Sequence, residues 1–143
     1  MRRGRCSLRG GVYFITTVTD ERTPWFQEFD LACLMCRYLH SFETLGDADN
    51  LCWVVMPDHM HLLIQLRDDS ISRVLNRLKS RSAIGLNRLI GRSGRFWARG
   101  YHEHALRSEE NLLGVARYIV ANPLRAGLAT SLRKYPYWNA AWL

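Results

Sequence analysis

Three stretches of the chain have the apolar, β-branched composition of strands. The segment 10–20 (GGVYFITTVTD) opens with a glycine pair and is rich in valine, isoleucine, threonine and aromatic residues, which favour strands. Residues 51–56 (LCWVVM) and 59–66 (HMHLLIQL) are two apolar runs separated only by a Pro-Asp pair. Because this pair is typical of a turn, the two runs predict a hairpin.

Apolar residues recur every three or four positions in three further segments, which predicts helices. The first spans about residues 30–45, with Asp30 as a candidate N-cap. The second covers 71–91, after the capping sequence Asp-Asp-Ser and up to a glycine. The third, within 108–122, follows a Ser-Glu-Glu cap and is stopped by an Asn-Pro pair, since proline interrupts a helix.

The order of these elements predicts the architecture. Residues 94–107 mix glycine with aromatic residues and then alternate, which indicates a short strand, and the aromatic tail KYPYWNAAWL is expected to pack on the domain. Strand, helix, hairpin, helix, strand and helix is the order of an α+β fold with a ferredoxin-like, split βαβ antiparallel sheet and helices packed on it. With 143 residues, the chain is predicted to form a single domain, 1–143.

The composition argues against membrane insertion and export. Apolar residues make up 48% of the chain, but no uncharged run approaches the roughly 18 to 20 residues of a membrane span. The basic start MRRGRCSLRGG lacks the apolar stretch of a secretory signal. We therefore expect a soluble, cytoplasmic protein. Cys33 and Cys36 have metal-site spacing but lie in an apolar helical stretch, so we expect buried core cysteines.

The charge balance makes nucleic acid a plausible partner. Twenty Lys and Arg against thirteen Asp and Glu give a net charge of +7, mostly from arginine, which pairs bidentately with phosphate and stacks on bases. An ordinary solvated basic face would explain the same charge.

Candidate DNA contacts lie in the N-terminal segment (Arg2, Arg3, Arg5, Arg9) and in the stretch 73–99. In that stretch the aromatic residues could stack on unpaired bases, although a solvated helix face with core aromatics is the alternative. The candidates there are Arg73, Arg77, Lys79, Arg81, Arg95, Phe96, Trp97 and Arg99.

The trio His59-Met60-His61 is the most informative in the chain. Side chains alternate along a strand, so both imidazoles point to one side and Met60 to the other. Two neutral imidazoles can share a metal ion and leave positions for a third ligand, water and a substrate phosphate. Histidines hydrogen-bonded within a sheet are the ordinary alternative.

A second candidate group lies in the sequence ARYIVANPLRAGL. Tyr118 and Asn122 are four residues apart, so on a helix they share a face and lie one turn apart. A tyrosine hydroxyl becomes a useful nucleophile only in an activating environment, and a metal helps by polarising the phosphate under attack. A core tyrosine followed by a helix stop is the alternative.

The pieces MPDHMHLLI, RGYHEHALR and ARYIVANPLRAGL, in this order, resemble the REP-associated tyrosine transposases. These are domesticated relatives of the small single-tyrosine HUH transposases of bacterial insertion sequences. The resemblance extends from GGVYFITTVTDERTPWF to the final YPYW. A lone HxH is unspecific, but its combination with YIVANPLRAG is highly specific.

This resemblance implies roles for individual residues. His59 and His61 match the HUH pair that binds a divalent ion, here expected on a central strand, and Tyr118 matches the catalytic tyrosine. Asn122 stands where relatives place a polar residue toward the metal. Magnesium or manganese fits a phosphoryl-transfer site better than tightly held zinc.

The resemblance also implies a reaction. The tyrosine attacks a phosphodiester of single-stranded DNA, forms a 5′-phosphotyrosine link and releases a 3′-hydroxyl, which can later attack that link. The substrate would be a hairpin of repeated extragenic palindromes, and the protein a monomer or a homodimer that meets DNA on the bacterial nucleoid.

A second HxH, His102 and His104, matches histidines of the same family. Both could lie near the ion, near the attacked phosphate or in an ordinary hydrogen-bond network. We favour a structural role, or a supporting one outside the metal's own ligands, over direct catalysis.

Three other functions compete with the transposase hypothesis. A non-catalytic nucleic-acid-binding module of RRM-like fold would share the sheet, but the RNP-type aromatic and glycine pattern is missing. A replication-initiator-like HUH nuclease would share the histidine pair. A metal hydrolase that uses water would leave no DNA attached to the protein.

Overall fold

The computed structural model describes residues 10–42, 48–107 and 110–140, although not the side chains of Phe42 and Glu110. The N-terminal arginines, Leu45 and the Ser108 cap lie outside the described residues. The strands and helices, in chain order, are β1 (Val12–Val18), α1 (Phe29–Phe42), β2 (Ala48–Met56), β3 (His59–Leu66), α2 (Ile71–Ile90), β4 (His102–Ala105), α3 (Glu110–Val120), α4 (Asn122–Arg125) and β5 (Trp138–Ala140).

The strands form one sheet in the order β4-β1-β3-β2-β5, and each neighbouring pair is antiparallel. The first four strands have the order expected of a split βαβ fold, so the predicted α+β architecture is confirmed. As predicted, the strand that carries His59 and His61 is central, with β1 on one side and β2 on the other.

The two faces of the sheet carry different helices. Residues such as Ile15 and Met60 belong to a core cluster shared with α1 and α2. Cys52, Val54 and Leu63 belong to a second cluster, with Ala116 and Ile119 of α3. Since side chains alternate along a strand, the sheet separates α1 and α2 from α3.

The helix boundaries follow local sequence signals with two exceptions. At the start of α2, the Ser70 hydroxyl accepts a hydrogen bond from the backbone N–H of Arg73, and Gly91 ends the helix with a φ of 66°, as the sequence predicted. Asp30, predicted to be an N-cap, lies inside the first turn of α1 instead. The third helix ends at Val120, and Asn122 begins the separate helix α4.

The aromatic tail forms a strand that the sequence did not indicate. Residues of β5 pair with β2, and the hydroxyl of Tyr135 donates a hydrogen bond to the carbonyl of Val55. Three residues are too few to show a periodic pattern in the sequence. Across the described ranges, no helix is long and apolar enough to cross a membrane.

Candidate active site

The two histidines of β3 share one face of the sheet. Their ring centroids are 4.9 Å apart, whereas the Met60 side chain between them is fully buried on the opposite face. The prediction drawn from the HxH spacing is therefore confirmed. Both histidines lie on the face that α3 covers.

Each imidazole is oriented by a hydrogen bond at Nδ1. The hydroxyl of Thr16, the residue opposite His61 in β1, lies 2.8 Å from its Nδ1, and a carboxylate oxygen of Asp58 lies 2.7 Å from Nδ1 of His59. When Nδ1 donates to these oxygens, Nε2 keeps its lone pair on both rings. This arrangement fits metal coordination through Nε2, because ligating histidines usually donate their other ring nitrogen to such a partner.

The partner carboxylate is itself held in the ionised form. Although burial alone would raise it, hydrogen bonds from His59 and Arg22 hold the pKa of Asp58 below its usual range. The Arg22 guanidinium lies 3.3 Å from the second carboxylate oxygen. An ionised Asp58 is an acceptor only, so it orients Nδ1–H of His59 toward itself.

His61 is electrically neutral near physiological pH. Burial, together with the nearby His59 and the positive charge of Arg125, lowers the pKa of its imidazole to about 4. A neutral imidazole has the free lone pair that a metal ligand needs. Among the described residues, no group of three His, Cys, Asp or Glu side chains is placed to hold a metal ion.

Tyr118 lies beside this histidine pair. Its ring centroid is 6.4 Å from that of His61 and 6.1 Å from that of Phe14, with both contacts edge-to-face. Tyr118 remains 50% exposed, so it is not the buried core tyrosine of the alternative interpretation. The structure thus brings the candidate nucleophile and the candidate metal ligands into one place.

Arg125 lies over the Tyr118 ring. Its guanidinium carbon lies 3.9 Å from the ring centroid, a cation–π distance. Its Nη2 donates a 2.7 Å hydrogen bond to the backbone carbonyl of Tyr118. This single side chain therefore places a positive charge at the site and holds the tyrosine at the end of α3.

Asn122 begins α4 two residues after the end of α3. In the described part of the chain, its buried side-chain nitrogen has no hydrogen-bond partner. Such a group is costly in a folded protein, and as a donor it suits an acceptor such as a phosphate oxygen, whereas a cation would be held by the carboxamide oxygen. The interaction with a metal stays a prediction.

The second histidine pair lies one strand farther from the site. His102 and His104 of β4 stand opposite Thr16 and Phe14 of β1, and both are exposed. It is Thr16 and Asp58, rather than His102 or His104, that hydrogen-bond the β3 histidines. Because residues directly opposite each other in neighbouring strands share a face, this pair lies on the same face of the sheet as His59 and His61, and its supporting role stays a prediction. His104 and Tyr118 line a common groove.

Two of the predicted DNA-stacking residues are buried. Phe96 and Trp97 are 1% and 4% exposed, and the Trp97 indole donates a hydrogen bond to the Ser82 hydroxyl. The prediction of base stacking by these two rings was wrong. Aromatic residues between arginines look alike in a sequence whether they face the core or the solvent.

The predicted basic contacts belong to the layer on the far side of the sheet from the histidines. Arg73, Arg81, Arg95 and Arg99 are exposed and remain candidates. The other two have protein partners: Arg77 pairs with Asp69 at 2.6 Å, and the Lys79 amine donates to the carbonyls of Ala98 and Gly100. Lys79 therefore holds the loop after α2. Because its amine is engaged in these hydrogen bonds, the structure argues against the predicted contact of Lys79 with DNA.

Sequence reasoning missed Thr16, Asp58, Phe14 and Arg125. Asp58 adjoins the first histidine, and Arg125 lies in the quoted segment ARYIVANPLRAGL, so a signal was present for these two. Thr16 is 45 positions from His61, and only the strand register brings them together.

Comparison with protein families places most of this chain in one known group. The family model for IS200-like transposases matches residues 10–122. A Haemophilus influenzae (strain Rd) protein assigned as a REP-associated tyrosine transposase is 30% identical over 145 residues. That alignment spans 90% of this chain and 79% of the relative.

Solved structures have the same fold. A REP-associated tyrosine transposase bound to a REP hairpin matches with a TM-score of 0.77 and 22% identity, over 94% of this chain and 79% of the other. A transposase-like protein from Deinococcus radiodurans R1 matches with a TM-score of 0.60 and 22% identity, over 83% of this chain and 95% of the other.

Proposed function

This chain belongs to the IS200-like transposases, among the REP-associated tyrosine transposases, and from that premise we propose that it is a divalent-metal-dependent DNA endonuclease and strand transferase. Its substrate would be single-stranded hairpin DNA of repeated extragenic palindromes. Tyr118 would be the nucleophile, and the reaction would pass through a 5′-phosphotyrosine link.

The proximity of Tyr118 and His61 carries this proposal. A half-exposed tyrosine whose ring lies 6.4 Å from a buried, neutral imidazole is accessible to a DNA strand and adjacent to a candidate metal ligand. The phenol oxygen would form a bond to phosphorus as the bond to the 3′ oxygen breaks. The phenol proton would pass to solvent, and the departing oxygen would take up a proton to become a 3′-hydroxyl.

Rejoining would be the reverse displacement. The 3′-hydroxyl of a DNA end attacks the phosphotyrosine, and the Tyr118 oxygen leaves and regains a proton. Because a phosphodiester is exchanged for another phosphate ester at each step, no ATP is required. This feature separates the proposed enzyme from a hydrolase, which would consume the phosphodiester with water.

His59 and His61 would hold the cation through Nε2, with the Asn122 carboxamide as a further candidate ligand. Thr16 and Asp58 fix the two rings through Nδ1. A bound Mg²⁺ or Mn²⁺ would polarise the phosphate under attack and stabilise negative charge on the leaving oxygen. Arg125 would add a fixed positive charge next to the tyrosine that receives the phosphate.

The choice of DNA rests on the relatives and on charge. One structure of the same fold holds a REP hairpin, and the net charge of +7 suits a polyanion. Such repeats are chromosomal, so the enzyme would act on the nucleoid.

Covalent capture tests the proposal. Single-stranded hairpin DNA from the host's extragenic repeats, labelled so that the label stays on the 5′-phosphate side of the cut, is incubated with manganese or with EDTA and resolved on a denaturing gel. We expect a protein-linked label that needs manganese and is lost in Tyr118→Phe. Tyr101→Phe is the matched control, since Tyr101 packs against the core of the opposite layer.

Each outcome has a distinct meaning. If Tyr118→Phe cleaves the strand at the wild-type rate, Tyr118 is not the nucleophile. Tight hairpin binding by the wild-type protein with no adduct on any hairpin of the host would favour the non-catalytic binding module instead.

A further inference from the structure

A groove of about 390 Å³ opens beside Tyr118, between β1 and β4 on one side and α3 on the other. This volume falls in the lower part of the range for ligand pockets. Tyr118 forms one wall. The remaining lining residues are Phe14, His104, Leu106, Asn111, Gly114 and Val115.

We propose that this groove receives one unpaired nucleobase of the DNA strand, next to the phosphate that Tyr118 attacks. The inference rests on the proposed function and deepens it, because it gives the enzyme a base-specific subsite. Phe14 links the groove to the site, since its ring lies 5.4 Å from His61 and 6.1 Å from Tyr118. A base in the groove would therefore adjoin the reacting tyrosine.

The lining has the chemistry that a base requires. Phe14, Leu106 and Val115 are half-buried apolar residues that can cover the faces of a flat ring. The side chains of Asn111 and His104 are exposed at the rim, and neither side chain hydrogen-bonds another described residue. A carboxamide offers both a donor and an acceptor, so Asn111 can read the edge of a base.

Gly114 keeps the groove open. A Cβ built at this position would meet no atom within 4 Å, so the space above the helix is free. Glycine is a poor residue for the middle of a helix, and the backbone of Gly114 does not require one, because its φ is not positive. A long side chain here would fill the space that the base needs.

A neighbouring groove of about 240 Å³ shares Leu106 with this one and includes the exposed Arg107. The two grooves together run along α3 away from Tyr118. The next phosphate of the strand could thus meet a guanidinium, which is suited to phosphate.

The test compares hairpins whose single-stranded flank carries an abasic site at each position in turn. Binding is measured by fluorescence anisotropy with the uncleaving Tyr118→Phe protein, in the presence of manganese. We expect one abasic position to weaken binding about fivefold or more, the size of a lost base–aromatic stack. Gly114→Leu should reduce this penalty to less than about twofold, whereas Gly114→Ala, the matched control, should retain it.

An equal penalty in Gly114→Leu would overturn the proposal, as would a hairpin bound tightly with no abasic penalty at any flank position. Circular dichroism checks that Gly114→Leu is folded. If Gly114→Leu is not folded, Asn111→Ala replaces it in the test. At the position where the abasic site weakens binding, this variant should bind hairpins with any of the four bases with similar affinity. An unchanged preference among the four bases would overturn the proposal.

Failure of the proposed function would look different. Wild-type protein and an intact hairpin report on that function through the covalent adduct, without reference to the groove. If the wild-type protein forms the adduct but Gly114→Leu leaves the abasic penalty unchanged, the nuclease is supported and the base subsite is contradicted. Absence of both hairpin binding and adduct would remove both proposals.

Discussion

The guanidinium of Arg125 stacks on the ring of Tyr118 at 3.9 Å and hydrogen-bonds the backbone carbonyl of the same residue at 2.7 Å. In a continuous helix, that carbonyl would accept from the amide four residues later. Here α3 ends at Val120 and α4 starts at Asn122, so an arginine side chain takes over as the partner. The helix break and the tyrosine's position are therefore coupled.

We expect Arg125→Gln to slow cleavage by about tenfold or more, because it removes both the ring contact and the charge, about 1.4 kcal/mol in the barrier. Arg125→Lys keeps the charge but loses the planar stack, so it should recover only part of the rate. Single-turnover cleavage of a labelled hairpin measures this. If lysine restores the full rate, charge alone explains the role of Arg125.

His59→Ala should abolish manganese-dependent cleavage. It should leave the fold largely intact, because His59 is only half-buried. Asp58→Asn should weaken metal affinity by about 10- to 100-fold, because it loses the carboxylate that orients His59. A manganese titration of the cleavage rate measures both effects, and excess manganese should rescue only Asp58→Asn. Asp49→Asn, at the far end of the hairpin, is the control, and an unshifted titration for Asp58→Asn would contradict the proposed orientation.

The salt dependence of hairpin binding should show which layer meets DNA. Arg107 and Arg117 are exposed on or near α3, whereas Arg73 and Arg81 are exposed on α2, beyond the sheet. Replacing a pair with glutamine should lower the slope of log affinity against log salt by about 0.7 to 0.9 for each phosphate that the protein no longer neutralises. We expect the larger change for the α3 pair. A change confined to the α2 pair would instead assign DNA binding to the layer of α1 and α2.

Two helix glycines should respond in opposite ways to alanine. At Gly114 the added methyl meets no atom within 4 Å, so Gly114→Ala should raise the free energy of unfolding by up to about 1 kcal/mol. At Gly85 a Cβ would overlap the Tyr38 hydroxyl and lie 2.9 Å from Cζ, so Gly85→Ala should lower it by about 1 to 3 kcal/mol. Urea denaturation measures both, and Tyr38→Ala should relieve the second effect in the double variant.

Asp69 should make stability depend on acid pH. The hydrogen bond from Arg77 lowers the pKa of this carboxyl, and its side chain is only 6% exposed. A lowered folded-state pKa means that the stabilisation is complete above the unfolded value of about 3.9 and is lost as pH falls through the folded value. Asp69→Asn should therefore cost about 1 kcal/mol at pH 7 and less below pH 4. In an Arg77→Gln background this difference should shrink, and a constant difference at all pH values would exclude the ion pair as its cause.

The periodicity of the sequence was enough to predict much of the fold, but it predicted few of the residues that surround the site. Alternation was enough to put His59 and His61 on one face and Met60 in the core, because that relationship is local. Thr16 could not be assigned to His61 from spacing, since a strand's partner is set by the global register. The prediction that Phe96 and Trp97 stack on bases was wrong for a similar reason. Whether a ring is buried depends on which elements pack on it, here the face of α2 that carries Ser82.

The 6.4 Å contact between Tyr118 and His61 also bears on stoichiometry. Within one polypeptide the proposed nucleophile lies beside a proposed metal ligand, so we expect a single molecule to cut a solitary palindrome without recruiting a second copy. Mixing Tyr118→Phe with His61→Ala should then yield no complementation, and turnover should scale linearly with protein concentration. Restored cleavage in the mixture would instead reveal an exchange of α3 between two subunits.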